Sequence, residues 1–217
     1  MDVSIQEIKV LGENLDSSLL SVDLLAVEAI LTRPYPRISA NDLVERLVVP
    51  VLDRIGSGWE SGKVSLSQVY MSGRICEEVV DLILPPTHIK RLSQPKMAIV
   101  TLEDYHVLGK RIVYSTLRAS GFELENYGRM DGEELAEHVI RDQVKILLVS
   151  VLMLPSALRV KDLRAQLDRS GTAVKIVVGG APFRFDHQLW REVGADAFGE
   201  TATEAVEIIK RIIEEIS

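Results

Sequence analysis

An aspartate and a histidine with one residue between them are the first feature of this sequence that could do chemistry. Asp104 and His106 follow an apolar run, in a segment that reads Asp-Tyr-His-Val-Leu-Gly over residues 104–109. An imidazole can bind a metal through one ring nitrogen while a carboxylate holds the N–H of the other, which fixes the tautomer and raises the basicity of the ligand. The spacing therefore predicts His106 as a metal ligand that Asp104 supports.

Small residues follow two later apolar runs. Ser150 opens the segment 150–156, and Gly179 and Gly180 come after the next run. Glycines allow close approach of the backbone to a bulky ligand, and Gly109 offers the same freedom three residues after His106. Each feature also has an ordinary explanation, since Gly-Gly is a common turn and a serine at this place can cap a helix. Their occurrence together favours a cofactor site.

The elements that position these residues alternate between strands and helices. Short β-branched apolar runs separated by amphipathic helical patterns are typical of a parallel sheet covered on both faces. We predict an α/β flavodoxin-like, or Rossmann-like, five-stranded sheet in the order 2-1-3-4-5, whose carboxyl edge brings together the loops after strands 1, 3 and 4. The predicted strands are 97–102, 122–125, 146–150, 175–179 and 195–198, and the predicted helices are 108–119, 132–142, 156–169, 186–193 and 203 to the C-terminus.

The first part of the chain has apolar residues at helical spacing and predicts an all-α four-helix bundle over residues 1–92, followed by the sheet domain over residues 93–217. We expect one helix over residues 19–30 that ends near the prolines at positions 34 and 36. Ser39 is expected to cap a second helix, which Gly56-Ser57-Gly58 would interrupt. A third helix is expected from about residue 65 to Pro85-Pro86, with a less regular helix near the start.

Charge and cysteine content narrow the class of protein. The formal net charge is −7, and no basic patch with interleaved aromatic residues offsets it, so neither a nucleic acid nor a membrane surface is an expected partner. A single cysteine, Cys76, excludes an internal disulfide framework and is expected to be a small buried residue. No signal sequence or membrane-spanning run is evident, which favours a cytoplasmic protein.

Motifs for other ligands are missing from the sequence. The loop after strand 1 has no Gly-x-Gly-x-x-Gly pattern for a dinucleotide, and the chain has no phosphate-binding loop for a nucleoside triphosphate. His138 and His187 are expected on helix surfaces and His88 in the linker, so no conventional metal cluster is predicted.

The three loops resemble, in order, those of the cobalamin-binding domain found in methionine synthase, base-off mutases and methyltransferase corrinoid proteins. The pattern is Asp-x-His-x-x-Gly, then Ser-x-Leu, then Gly-Gly. The resemblance implies that His106 is the lower ligand to cobalt, that Asp104 bonds the other imidazole nitrogen, and that Ser150 bonds Asp104. It also implies that Gly179 and Gly180 let the nucleotide tail of the cofactor pass. The further expected cofactor contacts are Tyr105, Val107, Leu108, Gly109, Leu152 and Ser156.

A second, less specific resemblance lies in the helical half. Residues 50–63 are similar to the helical cap that precedes the cobalamin domain in corrinoid proteins, which implies that Trp59 covers the upper face of cobalt; a partly buried aromatic at the end of a bundle is the alternative. The chain departs from the family pattern at three places. Glu103 stands where a glycine often precedes the aspartate, Val107 stands where an acidic residue often follows the histidine, and residues 153–155 lack the usual hydroxyl groups.

These observations together predict a corrinoid protein that carries a methyl group on cobalt between partner methyltransferases and does not catalyse transfer alone. The partners would recognise the methyl donor, because helical cap and sheet domain account for the whole sequence and no substrate-binding barrel is left. The alternatives are a cobalamin sensor or reservoir without methyl transfer, and the cobalamin-binding subunit of a mutase. A homodimer is left open.

Overall fold

A computed structural model describes residues 5–33, 38, 40–83 and 93–216 of the chain. The chain forms two compact units, of which the first contains residues 1–93 and 115–122, and the second contains residues 94–114 and 123–217. The predicted helix ends at Pro34-Tyr35-Pro36 and Pro85-Pro86, the Ser39 cap, and the linker with His88 lie outside the described residues. No helix among the described residues is long and apolar enough to cross a membrane.

The first unit is helical, as predicted. Its elements are α1 (Ile5–Leu20), α2 (Leu24–Leu31), α3 (Ala40–Leu43), a π-helical turn (Val44–Val48), α4 (Val49–Glu60) and α5 (Leu66–Ile83). Their inward faces form one apolar core that includes Leu15, Val48 and Val80, all fully buried. Cys76 is buried in this core, and the loss of solvation raises the pKa of its thiol to about 12.

Two predicted boundaries in this unit are wrong. The helix expected over residues 19–30 is broken after Leu20, where Val22 has a φ of +59° and the Asp23 carboxylate accepts a hydrogen bond from the amide of Ala26 at the start of α2. The glycines at 56 and 58 do not interrupt α4, which continues to Glu60. A Cβ at Gly58 would lie 2.6 Å from Val64 Cγ2, so this glycine serves close packing rather than helix termination.

The second unit is a five-stranded parallel sheet in the order β2-β1-β3-β4-β5, which confirms the predicted topology. The strands are β1 (Met97–Leu102), β2 (Glu125–Met130), β3 (Ile146–Ser150), β4 (Lys175–Gly179) and β5 (Ala197–Gly199). The helices are α6 (Leu108–Ala119), α7 (Gly132–Arg141), α8 (Leu154–Arg169), α9 (Ala181–Phe185), α10 (Leu189–Glu192) and α11 (Ala202–Ile216). Strands β1, β3 and β4 are almost entirely buried, which explains their continuous apolar runs.

The second strand was predicted in the wrong place. The expected strand at 122–125 contains Phe122 and Leu124, which are buried but precede the strand. The actual edge strand β2 is half-exposed and polar, so it lacks the hydrophobic signal of the central strands. Smaller shifts occur at β5, expected at 195–198, and at the helix expected over 186–193, which is replaced by the short helices α9 and α10.

Candidate functional site

The site is built on the loop that follows β1, where Asp104 and His106 are in direct contact. His106 Nδ1 lies 2.7 Å from Asp104 Oδ1, and the backbone amide of His106 donates to the same oxygen at 3.1 Å. The Asp104 side chain is 1% exposed, whereas the His106 side chain is 56% exposed. An ionised carboxylate only accepts hydrogen bonds, so in the neutral imidazole Nδ1 carries the proton and Nε2 keeps the lone pair that a metal ligand needs.

The second oxygen of Asp104 ties this loop to the loop after β3. Oδ2 accepts hydrogen bonds from the backbone amides of Leu152 at 2.7 Å and Met153 at 2.9 Å. Burial by itself raises the pKa of the Asp104 carboxyl, but its hydrogen bonds with His106, Leu152 and Met153 outweigh this and hold the pKa well below its usual range. Asp104 is therefore a fixed anion beneath the exposed imidazole.

Ser150 occupies a different place from the one that the resemblance implied. The hydrogen bonds to the Asp104 carboxylate within residues 93–216 come from His106, Leu152 and Met153, and the Ser150 hydroxyl is not among the donors. This hydroxyl faces the start of α6, where a Cβ at Gly109 would lie 3.7 Å from it. Both oxygens of Asp104 are already engaged, which is the physical reason that the serine is not needed to hold them.

Small and hydroxyl residues form a row across the carboxyl edge of the sheet. Thr101 pairs with Ser150, Ser150 with Gly179, and Gly179 with Gly199. Thr101 is fully buried, and its hydroxyl has no hydrogen-bond partner among the described residues. A Cβ at Gly179 would lie only 3.2 Å from the carbonyl oxygen of Gly199. The row thus contains a buried hydroxyl without a partner among the described residues, and a glycine that lets β4 and β5 pack closely at this edge.

Gly180 lies next to Gly179, and the backbone of the protein itself requires a glycine there. Its φ is +121°, and a Cβ would come 1.7 Å from the carbonyl oxygen of Val151. The loops after β3 and β4 thus meet at a point where only glycine fits. The amide of Val151 also donates to the carbonyl of Gly179 at 3.1 Å.

Exposed apolar side chains lie on the same loops and in the helices that follow them. Tyr105 is 79% exposed and Phe185 is 91% exposed, whereas Val107 is half-buried. Such an accumulation of apolar surface indicates a binding face. The remaining exposed members are Leu108, Leu152, Met153 and Leu154.

Ser156 and Glu103 stabilise the loop after β1 through hydrogen bonds within the protein. The buried Ser156 hydroxyl donates to the carbonyl of Glu103 at 2.9 Å, so the hydroxyl that was expected to contact the cofactor is used within the protein. Glu103 has a φ of +45°, the left-handed conformation that glycine adopts without strain. Its side chain accepts a hydrogen bond from the amide of Gly132 at 3.3 Å and lies 3.4 Å from the Arg159 guanidinium.

Trp59 belongs to the first unit, in the last turn of α4, where it is half-buried. The turn that follows is closed by the amides of Lys63 and Val64, which both donate to the carbonyl of Gly58. The role of Trp59 as a cover for the upper face of cobalt stays a prediction.

The chemistry of this site is that of a single imidazole ligand. Among residues 5–33, 38, 40–83 and 93–216, no group of three or more histidine, cysteine, aspartate or glutamate side chains could hold a metal ion. A metal bound by His106 would take its other ligands from outside these side chains. An exposed imidazole at the carboxyl edge of a doubly wound parallel sheet, beside exposed apolar side chains, is suited to a protein that binds a large metal-containing cofactor.

Comparison with known proteins identifies the family. The B12 binding domain profile matches residues 96–209, more than half of the chain, and a second B12 binding domain profile matches residues 13–84. The chain belongs to the B12-binding family. Its cofactor is a cobalamin, and the resemblance to the corrinoid proteins of methyltransferase systems is confirmed.

Individual relatives cover most of the chain. It is 32% identical over 190 residues to monomethylamine corrinoid protein 1 of Methanosarcina mazei, which spans 81% of this chain and 84% of that protein. Its fold matches the crystal structure of a cobalamin-binding protein from Desulfitobacterium hafniense DCB-2 with a TM-score of 0.75 and 22% identity, over 93% of this chain and 98% of the other. It also matches a chain of the methanol:cobalamin methyltransferase complex of Methanosarcina barkeri with a TM-score of 0.65 and 20% identity, over 99% of this chain and 86% of the other.

Proposed function

We propose that this protein carries a methyl group on the cobalt of a bound cobalamin between partner methyltransferases. The observation that carries the proposal is the His106 imidazole, exposed at the carboxyl edge of the sheet with its Nδ1 held 2.7 Å from the buried Asp104 carboxylate. This arrangement keeps Nε2 available as the lower ligand. When bound, the cofactor supplies the methyl-transfer chemistry, and the protein supplies ligation, orientation and exclusion of water.

Asp104 has a defined task in this function. With its pKa held low by His106 and the amides of Leu152 and Met153, it stays ionised and keeps the Nδ1 proton in place. The negative charge beside the imidazole strengthens His106 as an electron donor to the metal. The hydroxyl of Ser150, at the carboxyl end of β3, would meet polar atoms of the nucleotide tail.

The similarity to a monomethylamine corrinoid protein over most of both chains supports a small methylated amine as the methyl donor. The fold match to a chain of a methanol:cobalamin methyltransferase complex supports a methyltransferase as the binding partner. Trp59 would shield the upper face of cobalt until a partner engages it. The homodimer stays a prediction.

The ligand assignment is tested by adding hydroxocobalamin to the purified protein and recording its absorption spectrum. We expect the wild type to give the spectrum of a corrinoid with histidine as lower ligand. His106→Ala should lose this state and keep some bound corrinoid. His138→Ala is the matched control, because His138 is a partly buried histidine on α7 whose ring contacts the carbonyl of Glu134 and the ring of Tyr127, neither of which belongs to the loop after β1. An unchanged spectrum in His106→Ala, or no corrinoid bound by the wild type, would contradict the proposal.

Methyl transfer is tested separately from binding. The loaded, reduced protein is incubated with deuterated monomethylamine and a purified monomethylamine methyltransferase, and the methyl label on the corrinoid is measured by mass spectrometry. More label on the wild type than on His106→Ala, or than on free cobalamin reduced in the same way, is the expected result. A protein that acquires no label and binds adenosylcobalamin much more tightly than methylcobalamin would instead be a sensor or reservoir.

A further inference from the structure

Arg129, near the end of the edge strand β2, contacts the backbone and the side chain on either side of the Asp104–Tyr105 peptide. Its Nε donates a hydrogen bond to the carbonyl oxygen of Asp104 at 3.1 Å. Its guanidinium carbon lies 4.2 Å from the centre of the Tyr105 ring, a distance typical of a cation–π contact. These are the two residues that precede His106, so Arg129 holds the part of the loop that determines where the imidazole points.

A β-bulge brings Arg129 to this place. Ile99 pairs with Asn126, but two residues further along β1 Thr101 pairs with Arg129, so Tyr127 and Gly128 together oppose Val100. Gly128 has a φ of +69°, the left-handed conformation typical of a bulge glycine. Without the additional residue, Thr101 would pair with Gly128 and the side chain of Arg129 would turn to the other face of the sheet.

Lys110 holds the bulge from the helix that begins beside the site. Its Nζ donates to Asn126 Oδ1 at 2.7 Å and to the carbonyl of Gly128 at 3.0 Å. Asn126 Oδ1 also accepts a hydrogen bond from the amide of Gly128 at 3.1 Å. Lys110 is 5% exposed, so both of these hydrogen bonds join a buried ammonium group to the bulge. A buried ammonium group without such partners is costly, which makes this contact a strong constraint on the strand.

We infer that Arg129 is a positioning residue for the lower ligand, set in register by the bulge and held there through Lys110. This inference rests on the proposed function, because its effect is the presentation of His106 to cobalt. Arg129 touches neither the imidazole nor the cofactor's metal in this account. It restricts the backbone of Asp104 and Tyr105, so that less ordering is required when His106 ligates.

The test compares Arg129→Met with Arg191→Met in the full chain loaded with hydroxocobalamin. Arg191 is a matched control, because its guanidinium lies 4.3 Å from the ring centre of Trp190 on α10, away from the loop after β1. Absorption spectra, and the nitrogen splitting in the electron paramagnetic resonance spectrum of the reduced Co(II) form, measure the equilibrium between the states with and without bound histidine. We expect Arg129→Met to lower the equilibrium constant for histidine ligation about tenfold, through loss of a charged hydrogen bond and a cation–π contact. Arg191→Met should leave it unchanged.

Thermal unfolding without corrinoid separates positioning from a merely structural role. If Arg129→Met loses thermal stability but keeps the wild-type histidine equilibrium, the inference is overturned. If the Met variant does not fold, Arg129→Lys replaces it, because lysine keeps the charge and lacks the Nε donor at that position. A wild type that binds no corrinoid contradicts the proposed function itself, which distinguishes the two failures.

Asn126→Ala tests the bulge independently of Arg129. The substitution removes the oxygen that Lys110 and Gly128 share. We expect Asn126→Ala to lower the equilibrium constant for histidine ligation, as Arg129→Met does. The double variant should have the same equilibrium constant as Arg129→Met alone, because both substitutions act through the position of Arg129. Additive effects of the two substitutions would show that the bulge does not act through Arg129.

Discussion

At the scale of single residues, Asp104 is the group on which the site depends. It is nearly inaccessible to solvent, yet each of its carboxylate oxygens has two hydrogen-bond contacts, from the side chain and amide of His106 and from the amides of Leu152 and Met153. The energy of these contacts depends on the negative charge. Removing the charge is therefore expected to affect the stability of the protein even before a cofactor is considered.

We predict that Asp104→Asn lowers the free energy of unfolding by about 2–4 kcal/mol at neutral pH. The folded-state pKa of Asp104 is lower than the unfolded value, so its stabilising contribution is complete above the ordinary carboxyl pKa of about 3.9 and is lost as the pH falls through the depressed folded value. Urea unfolding at several pH values checks this: the difference between wild type and variant should be constant around neutrality and shrink in acid. Asp162→Asn, at a largely exposed carboxylate on α8, should change stability by less than about 0.5 kcal/mol.

Glu103 shows how this chain departs from the glycine that often precedes the aspartate. The left-handed backbone conformation of Glu103 is unfavourable, and the contacts of its side chain with the Gly132 amide and the Arg159 guanidinium offset part of this cost. Glu103→Ala loses these contacts and keeps the unfavourable φ, whereas Glu103→Gly loses the contacts and relieves it. We predict that the Gly variant is more stable than the Ala variant by about 1 kcal/mol in urea unfolding. An Ala variant at least as stable as the Gly variant would contradict this account of the backbone.

At the scale of elements, the carboxyl edge of the sheet depends on how closely its loops approach one another. The loop after β4 meets the loop after β3 at Gly180, where a Cβ would overlap the carbonyl oxygen of Val151. Gly171, in the turn after α8, also has a positive φ, of +73°, but a Cβ there would have no neighbour within 4 Å. A substitution at Gly171 therefore measures the cost of the backbone conformation alone, and a substitution at Gly180 adds the cost of the steric overlap.

We predict that Gly180→Ala destabilises the protein by about 3 kcal/mol or more, and Gly171→Ala by about 1 kcal/mol. The urea midpoints of both variants measure the difference. Equal destabilisation by the two alanine substitutions would mean that the loops can separate at little cost.

At the scale of the whole molecule, helix α6 is divided between the two compact units. Residues 115–122 belong to the first unit, where the Ser115 hydroxyl donates to Glu77 at 2.8 Å and Arg118 pairs with Asp81 at 2.8 Å. Residues 108–114 belong to the second unit, next to His106. The predicted division into domains of residues 1–92 and 93–217 stays a prediction, while the end of α6 groups with the first compact unit.

We predict that the shared helix makes the two units unfold together. Cys76 reports on the first unit, because its buried thiol has a pKa of about 12 and reacts with a thiol reagent near neutral pH only after it is exposed. Gly180→Ala changes the second unit alone, yet it should lower the urea midpoint of Cys76 labelling as much as the midpoint of the circular dichroism signal. Labelling of Cys76 at an unchanged midpoint would show that the units unfold independently.

The sequence by itself predicted the features that depend on residue types and their order along the chain. The order of apolar runs predicted the parallel sheet and its topology, and the spacing of Asp104, His106, Ser150 and Gly179 predicted which loops share an edge. These predictions were accessible because β1, β3 and β4 are buried on both faces and must be apolar. The edge strand β2 was predicted in the wrong place because its half-exposed residues do not need to be apolar.

Tertiary structure alone decided how the site is held. Backbone amides of Leu152 and Met153, rather than a serine hydroxyl, bond the carboxylate, and an amide donor has no signature in the residue type. The bulge at Tyr127 and Gly128 depends on the register between two strands, which is set by contacts distant in the sequence, such as that of Lys110 with Asn126. Residue types can thus name the imidazole and its carboxylate, but the groups that fix their positions are chosen by the packing of the folded chain.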